Sequence, residues 1–174
     1  MKRPVLFLLS LCLAFSCDSY KKYSDKYMVF FSCDISQSPF NQLTTPGRFL
    51  SVRKTDGKLY IVDIDGKKYD QPISAVQNGS FIMGLSGLII GTPLFNDDAA
   101  SIWAYDLGCP ECDNPSTRLK FDQEEAQFIV SCPKCQGKWL PNSSGTPINT
   151  DDREMRPLYR YPTTLNNGIL TVSN

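Results

Sequence analysis

Two short cysteine pairs contain the residues of this chain that are best suited to chemistry. The segments Cys109-Pro-Glu-Cys112 and Cys132-Pro-Lys-Cys135 are separated by nineteen residues, and the chain contains no histidine. Cys-x-x-Cys pairs at such a spacing bring four thiolates to one tetrahedral point. The proline in each pair helps to turn the backbone so that amide N–H groups point at the sulfur atoms. We therefore predict one four-sulfur site formed by Cys109, Cys112, Cys132 and Cys135.

The elements that must position these cysteines are predicted to be short β-strands. Runs of aromatic and branched residues alternate with turn sequences, as in strands, and twelve prolines and eleven glycines punctuate the chain. No window sustains a helical period for three turns, and residues 123–126 form a short turn at most. The fold is therefore predicted to be all-β, with the cysteine pairs on two protruding loops. The turn sequences are Asp56-Gly57, Asp65-Gly66, Asn78-Gly79 and 166–168, the last of which is expected to join strands at 158–161 and 169–172.

The N-terminal residues predict export and a lipid anchor. Lys2 and Arg3 precede an apolar run of about 11 residues, which fits a secretory signal and is shorter than the roughly 20 residues of a membrane span. Ser16 before Cys17 resembles the bacterial lipobox, in which the cysteine is acylated. We predict a signal peptide at 1–16, lipidation of Cys17 and a tether at 17–26. The protein would be held to the membrane through Cys17, extracytoplasmically, in the periplasm or at the cell surface.

Charge and composition exclude several function classes. Removal of residues 1–16 leaves 16 basic and 18 acidic residues, so no positive footprint for nucleic acid is present. Without histidine, no Ser-His or Cys-His nucleophile pair exists, and the chain is predicted not to be an enzyme. Cys33 lies outside both pairs and is predicted to be a lone thiol that fills the core as a small hydrophobe.

Over residues 101–173 the chain resembles a Rieske domain. Ile102-Trp-Ala-Tyr-Asp-Leu-Gly-Cys-Pro110 is similar to the strand and first cluster-binding loop of that family, and Cys132-Pro-Lys-Cys-Gln-Gly-Lys-Trp139 to the second loop. Gly145 and the segments Arg156-Pro-Leu-Tyr-Arg-Tyr-Pro162 and Gly168-Ile-Leu-Thr-Val172 resemble the turn and closing strands that follow. The resemblance implies a Rieske-like antiparallel β-sandwich with a small metal-binding subdomain like a rubredoxin or zinc ribbon. It implies one domain at 27–174, with the cysteine loops at about 107–142.

Departures from the Rieske pattern exclude a histidine-ligated Rieske cluster. Such a centre needs two histidines on one iron, one from each loop. Here Cys135 replaces the histidine of the second loop, and Glu111 followed by Cys112 occupies that slot in the first. Cys109 and Cys132 match the two cysteine ligands of the family. The altered ligands resemble those of Bacteroidetes-type lipoproteins with Rieske-like domains.

The sequence is compatible with three states of the four-cysteine site. One zinc or iron ion is the first: zinc in a closed four-thiolate site is structural, whereas iron passes one electron. A four-cysteine [2Fe–2S] cluster is the second. Disulfides within or between the pairs, formed in an oxidising compartment, are the third.

These observations predict a binding or assembly component of an envelope complex, with the loop tips near Pro110 and Pro133 as its docking surface. The main alternative is electron transfer to a redox partner that docks at the same tips. A metal-free scaffold stapled by disulfides is a further alternative. Thiol–disulfide exchange is less favoured, because loop-forming residues follow each pair instead of a helix that would lower the pKa of its first cysteine.

Overall fold

The computed structural model describes residues 22–95, 101–122, 128–148 and 154–174. Most regular structure in these residues is β, arranged in three antiparallel sheets, and the all-β prediction is therefore confirmed. The predicted signal peptide, Cys17 and the expected turn at 123–126 lie outside the described residues. Among the helices of the described ranges, none has the length and apolar character needed to cross a membrane.

The strands of the described ranges are short, with two to seven residues each. In chain order they are β1 (Val29–Asp34), β2 (Phe49–Thr55), β3 (Lys58–Asp63), β4 (Lys68–Pro72), β5 (Ile82–Met83), β6 (Leu88–Gly91), β7 (Trp103–Asp106), β8 (Lys120–Phe121), β9 (Val130–Ser131), β10 (Lys138–Leu140), β11 (Thr146–Pro147), β12 (Arg160–Tyr161), β13 (Thr163–Asn166) and β14 (Ile169–Ser173).

The largest sheet has six strands in the order β12-β7-β6-β2-β3-β4. Its β2–β3 hairpin turns at Asp56 and Gly57, which have φ angles of 49° and 74°, and Thr55 pairs with Lys58 across the turn. A two-residue hairpin of this twist needs positive φ at both central residues. The Asp56-Gly57 prediction is therefore confirmed.

The six-stranded sheet packs against a four-stranded sheet of order β13-β14-β1-β5. Val52, Ile61 and Ile90 of the first sheet share one buried cluster with Phe31 and Val172 of the second, and all five side chains are fully buried. The two sheets therefore form the predicted antiparallel β-sandwich around the larger of two hydrophobic cores.

A third sheet, of order β11-β10-β9-β8, contacts the other face of the six-stranded sheet. Phe49, Ile89 and Tyr105 precede or follow residues of the first core by one position and so point to the opposite face. They form a second core with Val130 and Trp139 of the small sheet. This second core carries the cysteine loops.

One expected turn is a helix. Asn78 and Gly79 lie inside α1 (Ala75–Ser80), so the prediction of a turn between strands there is wrong. Ser74 caps α1: the amide of Gln77 donates to Ser74 Oγ at 3.2 Å, and the Ser74 amide donates to Gln77 Oε1 at 2.9 Å. This capping box satisfies amide groups that the helix itself leaves free. Two 3₁₀ turns, Phe40–Thr44 and Pro141–Ser143, complete the helical structure of the described residues.

The closing strands differ from the expected pairing. The strand expected at 158–161 is reduced to β12, which pairs with β7 of the six-stranded sheet. Instead, β13 forms the hairpin with β14, through Asn167 and Gly168 at φ angles of 48° and 80°. Pro162 separates β12 from β13, and a proline cannot donate a hydrogen bond to a sheet. The chain therefore changes sheets at this residue.

Candidate metal centre

The four predicted cysteines converge on one point at the edge of the second core. The first pair follows β7, and the second pair lies between β9 and β10. The Cys109 and Cys135 sulfurs are 3.6 Å apart, and those of Cys112 and Cys132 are 3.8 Å apart. All four Sγ atoms lie within 4.8 Å of one another. Each short distance joins one pair to the other, so the site ties the two loops together.

The spacing of the sulfur atoms fits one tetrahedral ion. Zinc–thiolate bonds of about 2.3 Å place the corners of a tetrahedron about 3.8 Å apart. A disulfide would need its sulfurs about 2.05 Å apart, and none of the described cysteines forms one. A two-iron cluster holds two pairs of thiolates on two separate irons, which sets the pairs farther apart than the corners of one tetrahedron. The donor set and its geometry therefore suit a single thiophilic ion.

The two loops have the same backbone structure. In each, the residue after the second cysteine has positive φ, 49° at Asp113 and 62° at Gln136. Its amide donates to the carbonyl oxygen of the first cysteine, at 2.9 Å to Cys109 and 3.0 Å to Cys132. Two equivalent turns thus present their thiols toward each other.

Backbone amides point at the sulfur atoms, as was predicted from the proline in each cysteine pair. The amide of Cys112 donates to the sulfur of Cys109 at 3.5 Å. The sulfur of Cys132 accepts from the amides of Lys134 at 3.4 Å and of Cys135 at 3.5 Å. Such bonds stabilise the thiolate form. They are the means by which a loop makes a buried sulfur a better metal ligand.

Burial and amide donors affect the four thiols unequally. Cys109 and Cys132 are fully buried, whereas Cys112 and Cys135 are half-buried. Burial raises the pKa of the Cys109 and Cys112 thiols. Burial acts in the same direction on Cys132, but its two amide donors and the neighbouring thiols outweigh it, and the pKa of Cys132 lies below its ordinary value. Cys132 is therefore better prepared than Cys109 and Cys112 to ionise and to bind a cation.

A buried carboxylate fixes the approach to the first loop. Asp106, the last residue of β7, is fully buried. Its Oδ1 accepts from the amide of Gly108 at 2.6 Å, and its Oδ2 accepts from the amide of Leu85 at 2.6 Å and the hydroxyl of Tyr161 at 2.7 Å. Burial raises the pKa of Asp106, and these donors compensate for the lost water. The carboxylate thereby sets the turn that delivers Cys109.

A polar cluster covers the first loop, and the sequence did not predict it. Asp113 accepts from Lys26 Nζ at 2.5 Å, from the Tyr27 hydroxyl at 2.6 Å and from the Tyr159 hydroxyl at 3.1 Å. The hydrogen bond from Lys26 lowers the pKa of Asp113 to about 2. The partners come from sequence positions more than 40 residues away, so no local motif announces the cluster.

Arg156 links the first loop to the second. Its amide donates to Glu111 Oε1 at 2.8 Å, and its Nε donates to the same oxygen at 3.3 Å. Its carbonyl accepts from Trp139 Nε1, on β10, at 2.8 Å. Glu111, which stands where the Rieske pattern has a histidine, thus binds Arg156 and holds a neighbouring segment.

The two expected loop tips differ in exposure. Pro133 is exposed, but Pro110 is buried, and the Pro110 carbonyl accepts from the Tyr159 hydroxyl at 3.4 Å. The segment around Tyr159 therefore covers Pro110 itself, and a docking surface near the two loop tips stays a prediction.

Cys33 takes no part in the site. It lies on β1 within the sandwich core and is 8% exposed. Burial raises the pKa of this thiol to about 12. This agrees with the prediction of a lone cysteine that acts as a small core residue.

Comparisons with known proteins were made for sequence and for structure. No family model matches the chain, and no curated protein matches it. Among solved structures, the ferredoxin of carbazole 1,9a-dioxygenase from Nocardioides aromaticivorans matches with a TM-score of 0.32 and 14% identity, over 69% of this chain and 86% of that one. The fold class stands on the strands and sheets described above and not on this match.

Proposed function

We propose that this chain is a lipid-anchored, extracytoplasmic protein with a Rieske-like fold, in which one metal ion bound by four cysteines holds two loops together. The observation that carries the metal proposal is the convergence of four thiols from two equivalent turns, with sulfur atoms 3.6 and 3.8 Å apart across the loops. In this proposal the role of the protein is structural and binding, not catalytic.

Zinc is the ion that these residues suit best. Four protein thiolates complete its preferred coordination and leave no position for water or substrate, which is the arrangement of structural zinc sites. The ion would supply a crosslink between the first and second loops. Such a crosslink matters here because the small sheet has strands of only two or three residues.

Electron transfer with iron is the second candidate, favoured by the position of two sulfurs. Cys112 and Cys135 are half-buried, which brings the site close to the surface, and exposed Pro133 lies beside it. Three amide donors to sulfur are among the features that set the potential of iron–thiolate centres. A redox partner would then dock at the Pro133 loop.

The membrane anchor is proposed from the N-terminal sequence alone. Acylation of Cys17 would fix the chain to the envelope, and the polar residues that follow would act as a tether. The described part of the chain begins within this tether, at residue 22. Lys26, the last residue of the tether, and Tyr27 are bound to the first cysteine loop through Asp113. On this proposal the metal loop lies near the membrane-attached end of the domain.

Metal analysis tests the proposed centre. The mature chain is purified anaerobically from its native envelope, and metal, acid-labile sulfide, visible absorption and free thiols are measured on one sample. We expect one zinc per chain, no colour and no sulfide, and loss of the zinc in Cys132→Ser but not in the control Cys33→Ser. Coloured protein with one iron per chain would favour the second candidate. Two irons with two sulfides, or four cysteines in disulfides, would refute a mononuclear site.

Lipid labelling tests the anchor. In cells supplied with labelled palmitate, we expect the wild-type chain to incorporate label and to fractionate with membranes. Cys17→Ser should abolish both, whereas the matched variant Cys12→Ser should change neither. Unlabelled wild-type protein would refute acylation. Loss of label in Cys12→Ser but not in Cys17→Ser would show that Cys12, and not Cys17, carries the lipid.

A further inference from the structure

A groove lies beside the second cysteine pair, between the six-stranded sheet and the small sheet. Its volume is about 1000 Å³, at the upper end of the range of about 300–1000 Å³ that small-molecule sites occupy. Apolar side chains of Leu107, Leu119 and Phe121 contribute to its lining, and Pro133 and Lys134 come from the second cysteine loop. The groove thus combines a concave shape with apolar surface, as ligand sites do.

The lining is strongly basic although the whole chain has a formal net charge of zero. Five basic side chains and one acidic side chain line the groove. Among the residues that the structure describes, none of the five basic side chains forms an ion pair. The five are Arg53, Lys68, Arg118, Lys120 and Lys134.

Among the described residues, Asp63 and Asp70 are the carboxylates next to this charge, and neither forms an ion pair with it. Asp63, the acidic residue of the lining, is 2% exposed. Its oxygens accept from the amide of Lys67 at 2.9 Å and the hydroxyl of Tyr69 at 3.1 Å. Asp70, opposite Tyr60 on the neighbouring strand, pairs with Lys58 at 2.7 Å. The positive charge of the groove is therefore available to a ligand.

The two arginines are held in place before any ligand arrives. The Arg53 guanidinium stacks on the Tyr60 ring, 4.3 Å from its centroid. Arg118 Nε donates to the Ser86 carbonyl at 3.3 Å, which leaves its terminal nitrogens for another acceptor. Because their rotamers are already restricted, less entropy is lost when they bind an anion. Tyr60 also adds a flat apolar surface to the basic wall.

We propose that this groove binds a small organic anion, one with a flat apolar body and a carboxylate, phosphate or sulfonate group. The apolar lining would receive the body, and Arg53, Lys68 and Lys134 would pair with the charged group. A small molecule fits better than an acidic protein segment, because the surface is concave and its basic residues surround apolar side chains. This site is distinct from the sulfur site and needs none of the cysteine thiols.

Paired fluorescent probes test the proposal on the mature, metal-loaded chain. Anilinonaphthalene sulfonate carries an apolar aromatic body with one sulfonate, and N-phenylnaphthylamine has the same body without charge. We expect saturable binding of the sulfonate at one site per chain, at least about tenfold tighter than the neutral probe at low salt. Added salt should remove most of that difference.

Charge variants locate the site. We expect Lys68→Gln with Lys134→Gln to weaken sulfonate binding about tenfold, about threefold for each charge removed. Lys67→Gln is the matched control, because Lys67 is adjacent in sequence but its ammonium lies over the Tyr69 ring and the residue is not part of the lining. Its affinity should equal that of the wild type. In the wild type, the sulfonate should shift the backbone amide resonances of Val62 and Lys134 and leave that of Phe31 unchanged.

Four results would overturn the proposal. Equal affinity for the charged and the neutral probe would reduce the groove to an apolar patch. Unchanged sulfonate binding in the double variant, or shifts confined to residues outside the groove, would place the probe elsewhere. Lysine-dependent binding of poly-glutamate without saturable binding of the sulfonate would assign the groove to an acidic protein partner.

Discussion

At the scale of single residues, cysteines of one chain have different chemistry because their surroundings differ. Cys33 lies among core side chains, with no amide or thiol donor to its sulfur among the described residues. Cys132 is also buried, but amides of Lys134 and Cys135 point at its sulfur. Burial alone keeps a thiol neutral, whereas burial with oriented donors prepares a metal ligand.

Cys33 should be unreactive in the folded protein. Its pKa is raised to about 12 by burial, and the thiolate is the nucleophilic form. After metal removal by a chelator under reducing conditions, iodoacetamide at about pH 8 should label Cys112 and Cys135 and leave Cys33 unlabelled until denaturant is added. Mass spectrometry of tryptic peptides measures this. Labelling of Cys33 at the rate of a free cysteine would contradict its assigned place in the core.

Asp113 should stabilise the protein at neutral but not at acid pH. The hydrogen bond from Lys26, followed by that from Tyr27, lowers its pKa to about 2, below the value of about 3.9 in an unfolded chain. The contribution is therefore fully present above about pH 3.9 and is lost as the pH falls through about 2. Wild type and Asp113→Asn should differ in free energy of unfolding at about pH 6 and converge near pH 2.

Wild type and Asp113→Asn contain the same cysteines. The difference between their free energies of unfolding therefore reports on the Asp113 carboxylate alone. A difference that stays constant from about pH 6 to pH 2 would show that Asp113 acts through its shape alone and not through its charge.

At the scale of elements, turns and glycines decide where the loops lie. Gly145 has a φ of 72° and lies where its backbone meets Leu158 of the second core. A Cβ on Gly145 would be 2.8 Å from the Cβ of Leu158. Gly79, inside α1, has open space around the same position. The two glycines therefore have opposite expected responses to the same substitution.

Gly145→Ala should destabilise the protein by about 2–4 kcal/mol, because it adds left-handed strain and a steric clash. Gly79→Ala should stabilise it by about 0.5–1 kcal/mol, because alanine favours a helix. Denaturant unfolding of both variants measures these values. Equal effects of the two substitutions on stability would mean that the backbone at 145 tolerates a side chain. That result would contradict the steric clash expected with Leu158.

Elements were predictable where the signal was local. The Asp56-Gly57 hairpin and the two cysteine turns follow from residue types within four positions. The helix at Asn78-Gly79 was missed because a Ser-x-x-Gln capping box competes with a turn dipeptide. The hairpin partner of β14 was missed because Pro162 moves the strand boundary, and the contacts that decide this are long-range.

The candidate site was likewise predictable only where the sequence signal was local. The convergence of the four cysteines was predicted from their spacing, since two short pairs must meet if they bind one ion. Asp106, Arg156 and the Lys26–Asp113 cluster were not identified, because they hold the loops through partners distant in sequence. Burial of Pro110 by the segment around Tyr159 has the same cause.

At the scale of the whole molecule, the buried side chains of the described residues form two separate hydrophobic cores. The sandwich core lies between the two larger sheets, and the second core lies between the six-stranded sheet and the short strands that carry the cysteines. The sandwich has the longer strands and does not include the sulfur site. The metal is therefore expected to stabilise the second core far more than the first.

Chelation should loosen the molecule in one place. With the metal removed and the thiols kept reduced, amides of β9 and β10 should lose hydrogen-exchange protection, whereas those of β1, β2 and β14 should keep it. Mass spectrometry of exchanged peptides measures both regions in one experiment. Uniform loss of protection would mean that the metal supports the entire fold, and unchanged protection would mean that it does not crosslink the loops.

X-ray absorption at the edge of the bound metal tests the central claim, that four cysteines hold one ion, most directly. For zinc in the mature chain, we predict four sulfur neighbours at about 2.3 Å and no metal neighbour. A second metal close to the first, or a nitrogen or oxygen ligand in place of a sulfur, would contradict a mononuclear four-cysteine site.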